Sequence, residues 1–336
     1  MRQLRRSTGR RLAWLCFLAV LLVVLAACSV AFGVRDISFA DAAAALSGHT
    51  GTTDQAAAAV RLPRTVLGVL IGGSLAIAGT TMQAVTRNPL ADPGIFGVLS
   101  GAALAVVIGL AFFGLSHPVA ELAVAVLGAG LAAAFVYAIG SLGRSGATPL
   151  KLALAGAATS AAASSLVSAI LLPRVNVMDT FRFWQIGGIG GATWERLAIV
   201  GPFLGIGVLI CLGWARGLNS LALGDDIATG LGENVRRTRL IASTGAIVLC
   251  GVATAAAGPI AFVGLVVPHV CRLLVGTDHR WLIPFSALAG GCLLLAADTV
   301  GRVVARPSEI AVGIITPLIG APFFIWIVRR QKVREL

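Results

Sequence analysis

The sequence carries very little charge for its length. Only 12% of its 336 residues are Asp, Glu, Lys or Arg, whereas 57% are hydrophobic and the mean hydropathy is +0.93. A chain of this size with so few charges cannot cover its apolar surface with polar side chains. This excludes a soluble globular protein. We therefore predict an all-α, polytopic membrane protein that forms a single transmembrane domain over residues 1–336.

Several chemical signatures are missing as well. The six cysteines never form a CxxC pair, and no HExxH or paired-carboxylate motif accompanies the four histidines. The sequence therefore indicates no metal site, disulfide framework or catalytic residue. The only lysines are Lys151 and Lys332, and neither follows the glycine pattern of a Walker A loop. We expect no cofactor on this chain, and ATP hydrolysis would require another chain. The basic residues lie at the borders of apolar runs, which argues against nucleic-acid binding.

Apolar runs of span length are abundant. Residues 65–86, for example, carry no charge and would form a helix about 33 Å long, which crosses the hydrocarbon core of a bilayer. Two longer runs divide at turns, one at Gly114 and Pro118 and the other at Gly258 and Pro259. The ten predicted spans are residues 12–32, 65–85, 94–113, 119–140, 150–171, 196–214, 240–257, 260–275, 281–301 and 310–328.

Ten spans put both termini on the same side of the membrane. Most basic residues flank the inner ends of the spans when the termini are cytoplasmic, as the positive-inside rule requires. A competing interpretation concerns the first span, because residues 25–28 (LAAC) resemble a bacterial lipoprotein signal whose cleavage would lipidate Cys28. Cleavage would leave nine spans and oppose the charge bias. The bias therefore favours an uncleaved first helix.

Ionisable groups are scarce inside the predicted spans. Asp298 is the nearest candidate for a proton relay, but Arg302 follows four residues later, a spacing that favours a local ion pair. Coupling of transport to an ion gradient is accordingly disfavoured.

The longest predicted cytoplasmic loop is residues 215–239. It has an apolar patch (Leu218, Leu221, Leu223), an Asp225-Asp226 pair suited to a helix N-terminus, and glycines that would end a short helix. Two interpretations fit this pattern equally well. The helix either lies on lipid or docks a soluble partner.

Motifs spread over residues 61–330 resemble the FecCD-type permeases, the membrane subunits of ABC importers for ferric siderophores, haem and vitamin B12. They occur in the family's order: RLPR, AGTTMQAVTRNPLADPGIFGVLSGA, FWQIGGIGG, LALGDDIATGLG, GPIAFVGLVVPHVCR, TDHRWLIP and RPSEIAVGIITPLIGAPFFIW. The resemblance implies a ten-helix subunit of the bacterial cytoplasmic membrane that passes an iron–siderophore complex. Its implied partners are a second permease, two cytoplasmic ATPases that bind ATP and Mg, and an extracytoplasmic binding protein.

The resemblance also assigns roles to residues, and it favours docking over lipid contact for residues 215–239. Arg61 and Arg64 are three residues apart, and we expect them at the outer start of a helix, where they share a face and the helix dipole is positive. Arg61, Arg64 and Arg302 are implied to meet acidic residues of the binding protein, although interfacial anchoring is an alternative for the first two. The implied ATPase-coupling residues are Leu221, Leu223, Gly224, Asp225, Asp226, Ile227, Leu231 and Glu233. The implied cytoplasmic gate comprises Asn88, Leu90, Ser145 and Gly146.

The fifth predicted span, residues 150–171, is rich in small and hydroxylated residues. Such residues allow close helix packing, or they leave room for a substrate. The resemblance implies that Thr159, Ser160, Ser164 and Ser168 line the pathway. Residues 88–101 and 258–268 both place Pro and Gly around a Phe before a new helix, on opposite faces of the membrane. This similarity predicts an inverted repeat of helices two to five and seven to ten.

Overall fold

The computed structural model describes residues 8–142 and 148–330. Within these ranges the chain forms α-helices, one short 3-10 helix at Pro93–Phe96 and no β-strand, which confirms the all-α prediction. The α-helices are α1 (Thr8–Ala31), α2 (Phe39–Leu46), α3 (Thr53–Thr86), α4 (Val98–Phe113), α5 (Pro118–Gly140), α6 (Pro149–Leu171), α7 (Val175–Ile186), α8 (Trp194–Gly213), α9 (Ala215–Leu221), α10 (Asp225–Gly230), α11 (Val235–Ala257), α12 (Val263–Val275), α13 (His279–Val304) and α14 (Val312–Arg330).

Every predicted span corresponds to a helix. Seven of these helices are long and apolar enough to cross a membrane by length and composition: α1, α3, α5, α6, α8, α11 and α13. The other three, α4, α12 and α14, have shorter apolar stretches, so the number of ten crossings stays a prediction. The two expected turns are confirmed, because α4 ends before Gly114 and α11 ends before Gly258, and both glycines have a positive φ.

Helix α3 begins well before the span predicted for it. The Thr52 side chain accepts a hydrogen bond from the Gln55 backbone N–H, and the Gln55 side chain accepts one from the Thr52 N–H, a capping box that starts the helix. Arg61 and Arg64 consequently lie roughly two to three turns inside α3. The prediction that they stand at a helix start is wrong. The positive field of a helix N-terminus fades within the first turn and does not reach them.

The core is built around α3, which is the most buried of the long helices, whereas α1 and α6 are the least buried. Glycine makes this central position possible. A Cβ at Gly72 would overlap the backbone of Gly290 on α13, and a Cβ at Gly79 would overlap the backbone of Gly264 on α12. Without a hydrophobic driving force between helices in lipid, such close backbone contact is a main source of packing energy.

Several short helices outside the apolar runs were not predicted. They are α2, α7 and α9. Helix α2 follows α1, and helix α7 follows α6. The short helix expected after the Asp225-Asp226 pair is confirmed as α10. The junctions before α4 and α12 each end in a residue of left-handed conformation, Gly97 and Phe262. The inverted repeat suggested by these junctions stays a prediction.

Candidate functional sites at the two ends of the helix bundle

The two ends of the bundle are named after the predicted orientation. The outer end carries Arg61 and Arg64, and the inner end carries residues 215–239. At the outer end we define the outer cluster as Arg61, Arg64, Asp298, Arg302 and Glu309.

Arg64 is the centre of the outer cluster. Its Nε and Nη2 donate to the two carboxylate oxygens of Asp298 at 3.1 and 2.8 Å, and its Nη1 donates to Glu309 Oε2 at 2.8 Å. The Asp298 side chain is 1% exposed, whereas that of Glu309 is 41% exposed. A forked arginine–carboxylate pair is strong and fixes geometry. Arg64 therefore ties α3 to α13 with two bonds and reaches the segment before α14 with the third.

Arg302 is buried beneath this pair. Its Nε lies 3.0 Å from Asp298 Oδ2, which confirms the predicted local ion pair. Its Nη1 donates to the carbonyl oxygens of Ser29 and Phe32 at 3.0 and 3.1 Å. The residue is 1% exposed, so in this structure it lies beneath the surface, and its docking role stays a prediction. The end of α1 covers it, and the prediction did not take that contact into account.

The Arg61 side chain caps the C-terminal end of α1. Its Nη1 donates to the carbonyl oxygens of Val30 and Ala31 at 2.9 and 3.1 Å, and its Nη2 donates to the carbonyl oxygen of Arg35 at 2.6 Å. The last carbonyls of a helix lack internal donors, and a cation there also matches the helix dipole. Arg61 therefore has a structural role, and it remains partly exposed at the outer end.

An exposed apolar stripe marks the inner end. Leu223, Ile227 and Leu231 are spaced four residues apart and are 57%, 55% and 66% exposed. Ile227 lies within α10, Leu223 precedes Gly224 at its start, and Leu231 is its C-cap residue. The predicted apolar patch was different, because Leu218 and Leu221 are fully buried and only Leu223 of that patch faces outward. Leu221 is therefore an anchor of this segment in the core and lies outside its exposed surface.

Charges hold α10 on the bundle. Asp225 accepts hydrogen bonds from Arg87 Nη2 at 2.8 Å and from Arg239 Nη2 at 3.1 Å, so it bridges the end of α3 and the start of α11. Gly224 precedes it with φ +109°. The Glu233 carboxylate accepts a hydrogen bond from the Thr238 hydroxyl. Asp226 is exposed beside them. The backbone of α10 is thus fixed while its apolar side chains remain free.

The base of the same segment is fixed through Asn219. Its Nδ2 donates to Asp278 Oδ1 at 2.7 Å, and its Oδ1 accepts from the His279 N–H at 2.8 Å. Desolvation alone would raise the pKa of Asp278, but hydrogen bonds from Arg280 and Asn219 outweigh it and bring the pKa to about 2. Asp278 is therefore ionised at neutral pH and joins α9 to the start of α13.

The predicted gate residues fall in a tight turn after α3. Asn88 Oδ1 accepts a hydrogen bond from the Leu90 N–H at 2.9 Å, and Leu90 is 45% exposed. The side chain of Asn88 thus shapes the turn, as is usual for Asn in such positions. The other two predicted gate residues, Ser145 and Gly146, lie outside the described residues.

The predicted pathway residues lie along α6. Ser164 and Ser168 line a cleft of about 200 Å³ that is completed by Ser100, Phe181 and Gln185. The hydroxyls of Thr159 and Ser168 donate to carbonyls one turn earlier at 2.7 and 3.0 Å. Thr159 and Ser160 lie near Gly97, which ends the 3-10 helix Pro93–Phe96. Within the described residues, α6 therefore packs beside the junction before α4 and lines a small polar cleft.

Sequence reasoning missed Glu309, Arg87 and Arg239. Glu309 lies in the quoted motif RPSEIAVG, but nothing local relates it to Arg64, which is 245 residues away along the chain. Arg87 and Arg239 counted only as cytoplasmic charges. Their position beside the acidic start of α10 was a usable signal, since isolated acidic pairs near basic span ends favour ion pairing.

Comparisons with known proteins agree with this architecture. Residues 21–330 match the FecCD transport family. The chain is 44% identical to the ferric enterobactin transport system permease protein FepD of Escherichia coli, over 94% of both chains. It is 39% identical to the hemin transport system permease protein HmuU of Yersinia pestis, over 94% of this chain and 95% of that protein.

A solved structure of a metal-chelate type ABC transporter in an inward-facing conformation is also similar. It has a TM-score of 0.83 and 29% sequence identity, and the match covers 95% of this chain and 99% of that one.

Proposed function

Because this chain belongs to the FecCD transport family and is a permease subunit of the metal-chelate type of ABC importer, we propose that it passes an iron–siderophore complex across the bacterial cytoplasmic membrane. In this proposal both termini are cytoplasmic, and the complex is received from an extracytoplasmic binding protein. ATP hydrolysis by two separate subunits drives the cycle. The translocation path forms between this chain and a second permease, which is either another copy or a similar chain.

The substrate proposal rests on the ferric enterobactin permease, which shares 44% identity over nearly the whole chain. Haem is the second candidate, because the hemin permease is similar over the same length. Uptake into vesicles that contain the assembled transporter tests both, with a panel of ferric siderophores beside haem. Uptake of haem alone would refute the siderophore proposal. Uptake driven by an ion gradient without ATP would refute the ABC mechanism.

The proposed ATPase-coupling surface is the exposed stripe of Leu223, Ile227 and Leu231. Three large, exposed apolar side chains on and beside α10 would leave water favourably in a groove of a soluble partner. Its test is Ile227→Glu, with Thr229→Glu as the matched control on the opposite, exposed face of α10. We expect Ile227→Glu to abolish co-purification of the ATPase at unchanged membrane levels of the permease. Equal retention of the ATPase by both variants would refute the assignment.

The proposed docking surface for the binding protein is the outer end around Arg61 and Arg64. Charged groups at an interface rim chiefly govern orientation and association rate. Charge reversal at Arg64 would place an acid beside buried Asp298, so Arg64→Lys is the better test. A lysine keeps the charge next to Asp298. It lacks the planar guanidinium, which can hold Asp298 with two nitrogens and offer the third nitrogen to another carboxylate. Arg182→Lys, at an exposed ion pair on α7, is the control.

We expect Arg64→Lys to weaken the complex with the binding protein chiefly through faster dissociation, because a lysine lacks the paired donors of the guanidinium but keeps the charge that governs the association rate. Arg302 has a supporting role in this proposal, because it holds Asp298 from below. A dissociation constant equal to that of the unchanged protein would remove Arg64 from the docking surface.

The proposed inner gate is the turn of Asn88 and Leu90 together with Ser145 and Gly146. The proposed pathway lining is Thr159, Ser160, Ser164 and Ser168. The contact of α6 with Gly97, on the segment that follows Asn88 and Leu90, supports this grouping, as does the polar cleft at Ser164 and Ser168. Ser164→Leu and Ser168→Leu should lower uptake without loss of ATPase association. Ser165→Leu, on the same helix and exposed, is the control. Unchanged uptake in the first two variants would contradict the lining.

A further inference from the structure

Glu309 is an exposed acid that sits on the proposed docking arginine. The Nε and Nη2 groups of Arg64 are engaged by Asp298, and the remaining arm, Nη1, donates to Glu309 Oε2 at 2.8 Å. Nη1 and Nη2 each keep a second N–H, but the Nη1 side that Arg64 would offer to a carboxylate of a partner already faces a carboxylate of its own chain.

The two acids on Arg64 are held very differently. Asp298 is 1% exposed and is contacted from below by Arg302, so its displacement would leave buried charges unpaired. Glu309 is 41% exposed and lies on the segment between α13 and α14. Ion pairs with such an exposed partner contribute little net free energy, because water competes for both groups. Glu309 is therefore the partner of Arg64 that can be exchanged.

We infer that Glu309 is an internal competitor for docking: it occupies the Arg64 donor that a carboxylate of the binding protein takes, and docking proceeds by exchange of one carboxylate for the other. This inference rests on the proposed docking role of Arg64. The exchange keeps the Nη1 group of Arg64 paired with a carboxylate before and after docking, while Asp298 holds the rest of the guanidinium throughout. It also places a negative charge where the partner approaches, which lowers affinity and favours release after substrate transfer.

The test measures the affinity of the extracytoplasmic binding protein for the assembled transporter in lipid nanodiscs. Glu309→Gln and Glu309→Ala remove the competing charge by two different changes. The matched control is Asp36→Asn, which removes another exposed acid of the outer end, one that pairs with Arg306. We expect both Glu309 variants to lower the dissociation constant about two- to fivefold, which corresponds to the free energy of one exposed ion pair. Asp36→Asn should give a smaller change.

The Arg64→Lys background separates this inference from the docking proposal. If Arg64→Lys weakens docking and Glu309→Gln tightens it only when Arg64 is present, the exchange is supported. If Arg64→Lys weakens docking but Glu309→Gln acts like Asp36→Asn, the exchange is refuted and the docking role stands. If Arg64→Lys leaves docking unchanged, both ideas fail. Equal ATPase association in all variants verifies that each transporter has assembled.

Discussion

Removal of the Asp298 carboxylate should destabilise this protein more than almost any other single charge change. Asp298 is 1% exposed and lies between Arg64 and Arg302, whose side chains are 12% and 2% exposed. In Asp298→Ala, two buried guanidinium groups would face each other without the acid that neutralises them. Breaking a buried pair by removing one partner costs about 3–5 kcal/mol. Asp298→Asn should lie below this range, since the amide keeps the shape and one acceptor.

Urea unfolding of the purified chain in detergent provides the measurement, with membrane levels compared in parallel. The control is Asp36→Ala, because the Asp36 side chain is 55% exposed and pairs with Arg306 at the same end. An exposed pair contributes about 0–1 kcal/mol, so this variant should unfold close to the unchanged protein. The double variant Asp298→Ala with Arg302→Met removes the acid together with one of its two buried partners. Contacting residues are usually coupled, so its loss should fall short of the sum of the single losses.

Two results would contradict this reasoning. One is an Asp298→Ala variant whose free energy of unfolding falls by less than about 1 kcal/mol, the range of exposed pairs. The other is strict additivity of Asp298→Ala and Arg302→Met. Either would mean that water or another group replaces the carboxylate, and that the outer cluster is not a buried ion-pair network.

Three further predictions concern packing and the inner end. Gly79→Ala should destabilise the chain by about 1–3 kcal/mol through overpacking against Gly264, whereas Gly130→Ala, which meets nothing within 4 Å, should be neutral in the same unfolding assay. Asp225→Asn should weaken ATPase co-purification several-fold without lowering membrane levels, because α10 loses its ion pairs with Arg87 and Arg239. Undiminished co-purification would contradict this. The depressed pKa of Asp278 contributes stability that is complete above about pH 4 and is lost as pH falls towards 2. The rate of proteolysis of residues 215–239 should therefore not change between about pH 7 and 5 and should rise only below about pH 4.

The spans were readable from the sequence because lipid imposes a local rule. Each crossing needs a continuous apolar run, and Gly114, Pro118 and Gly258 mark the ends of such runs without knowledge of the rest of the fold. The family was readable for a related reason, since its motifs are contiguous. The start of α3 could also have been found, because Thr52 and Gln55 form a capping box that is visible in the sequence.

Burial of the charged residues was not readable in this way. Arg302 was placed on the surface because its motif alone gave no sign of the α1 carbonyls, which come from residues about 270 positions earlier. The apolar patch of residues 215–239 failed for a similar reason. Periodicity shows that Leu218, Leu221 and Leu223 are apolar, but only the packing of α9 decides which of them face the core. Sequence patterns identify the candidates at each end, and contacts between distant segments decide which candidates remain available to a partner.

The two proposed partner surfaces are attached to the same helix. Arg61 and Arg64 lie near one end of α3, and Arg87 at its other end pairs with Asp225 of α10. Between them, Gly72 and Gly79 lie so close to α13 and α12 that not even a methyl group fits. Tight backbone contacts of this kind resist bending, because packed interiors have little free volume. Relative motion of the two surfaces within one chain is therefore disfavoured. Spin labels at the two ends of one chain should keep a constant distance through an ATP cycle, whereas distances between the two permeases should change as whole chains tilt. A change confined to the distance within one chain would instead require α3 to bend at these glycines.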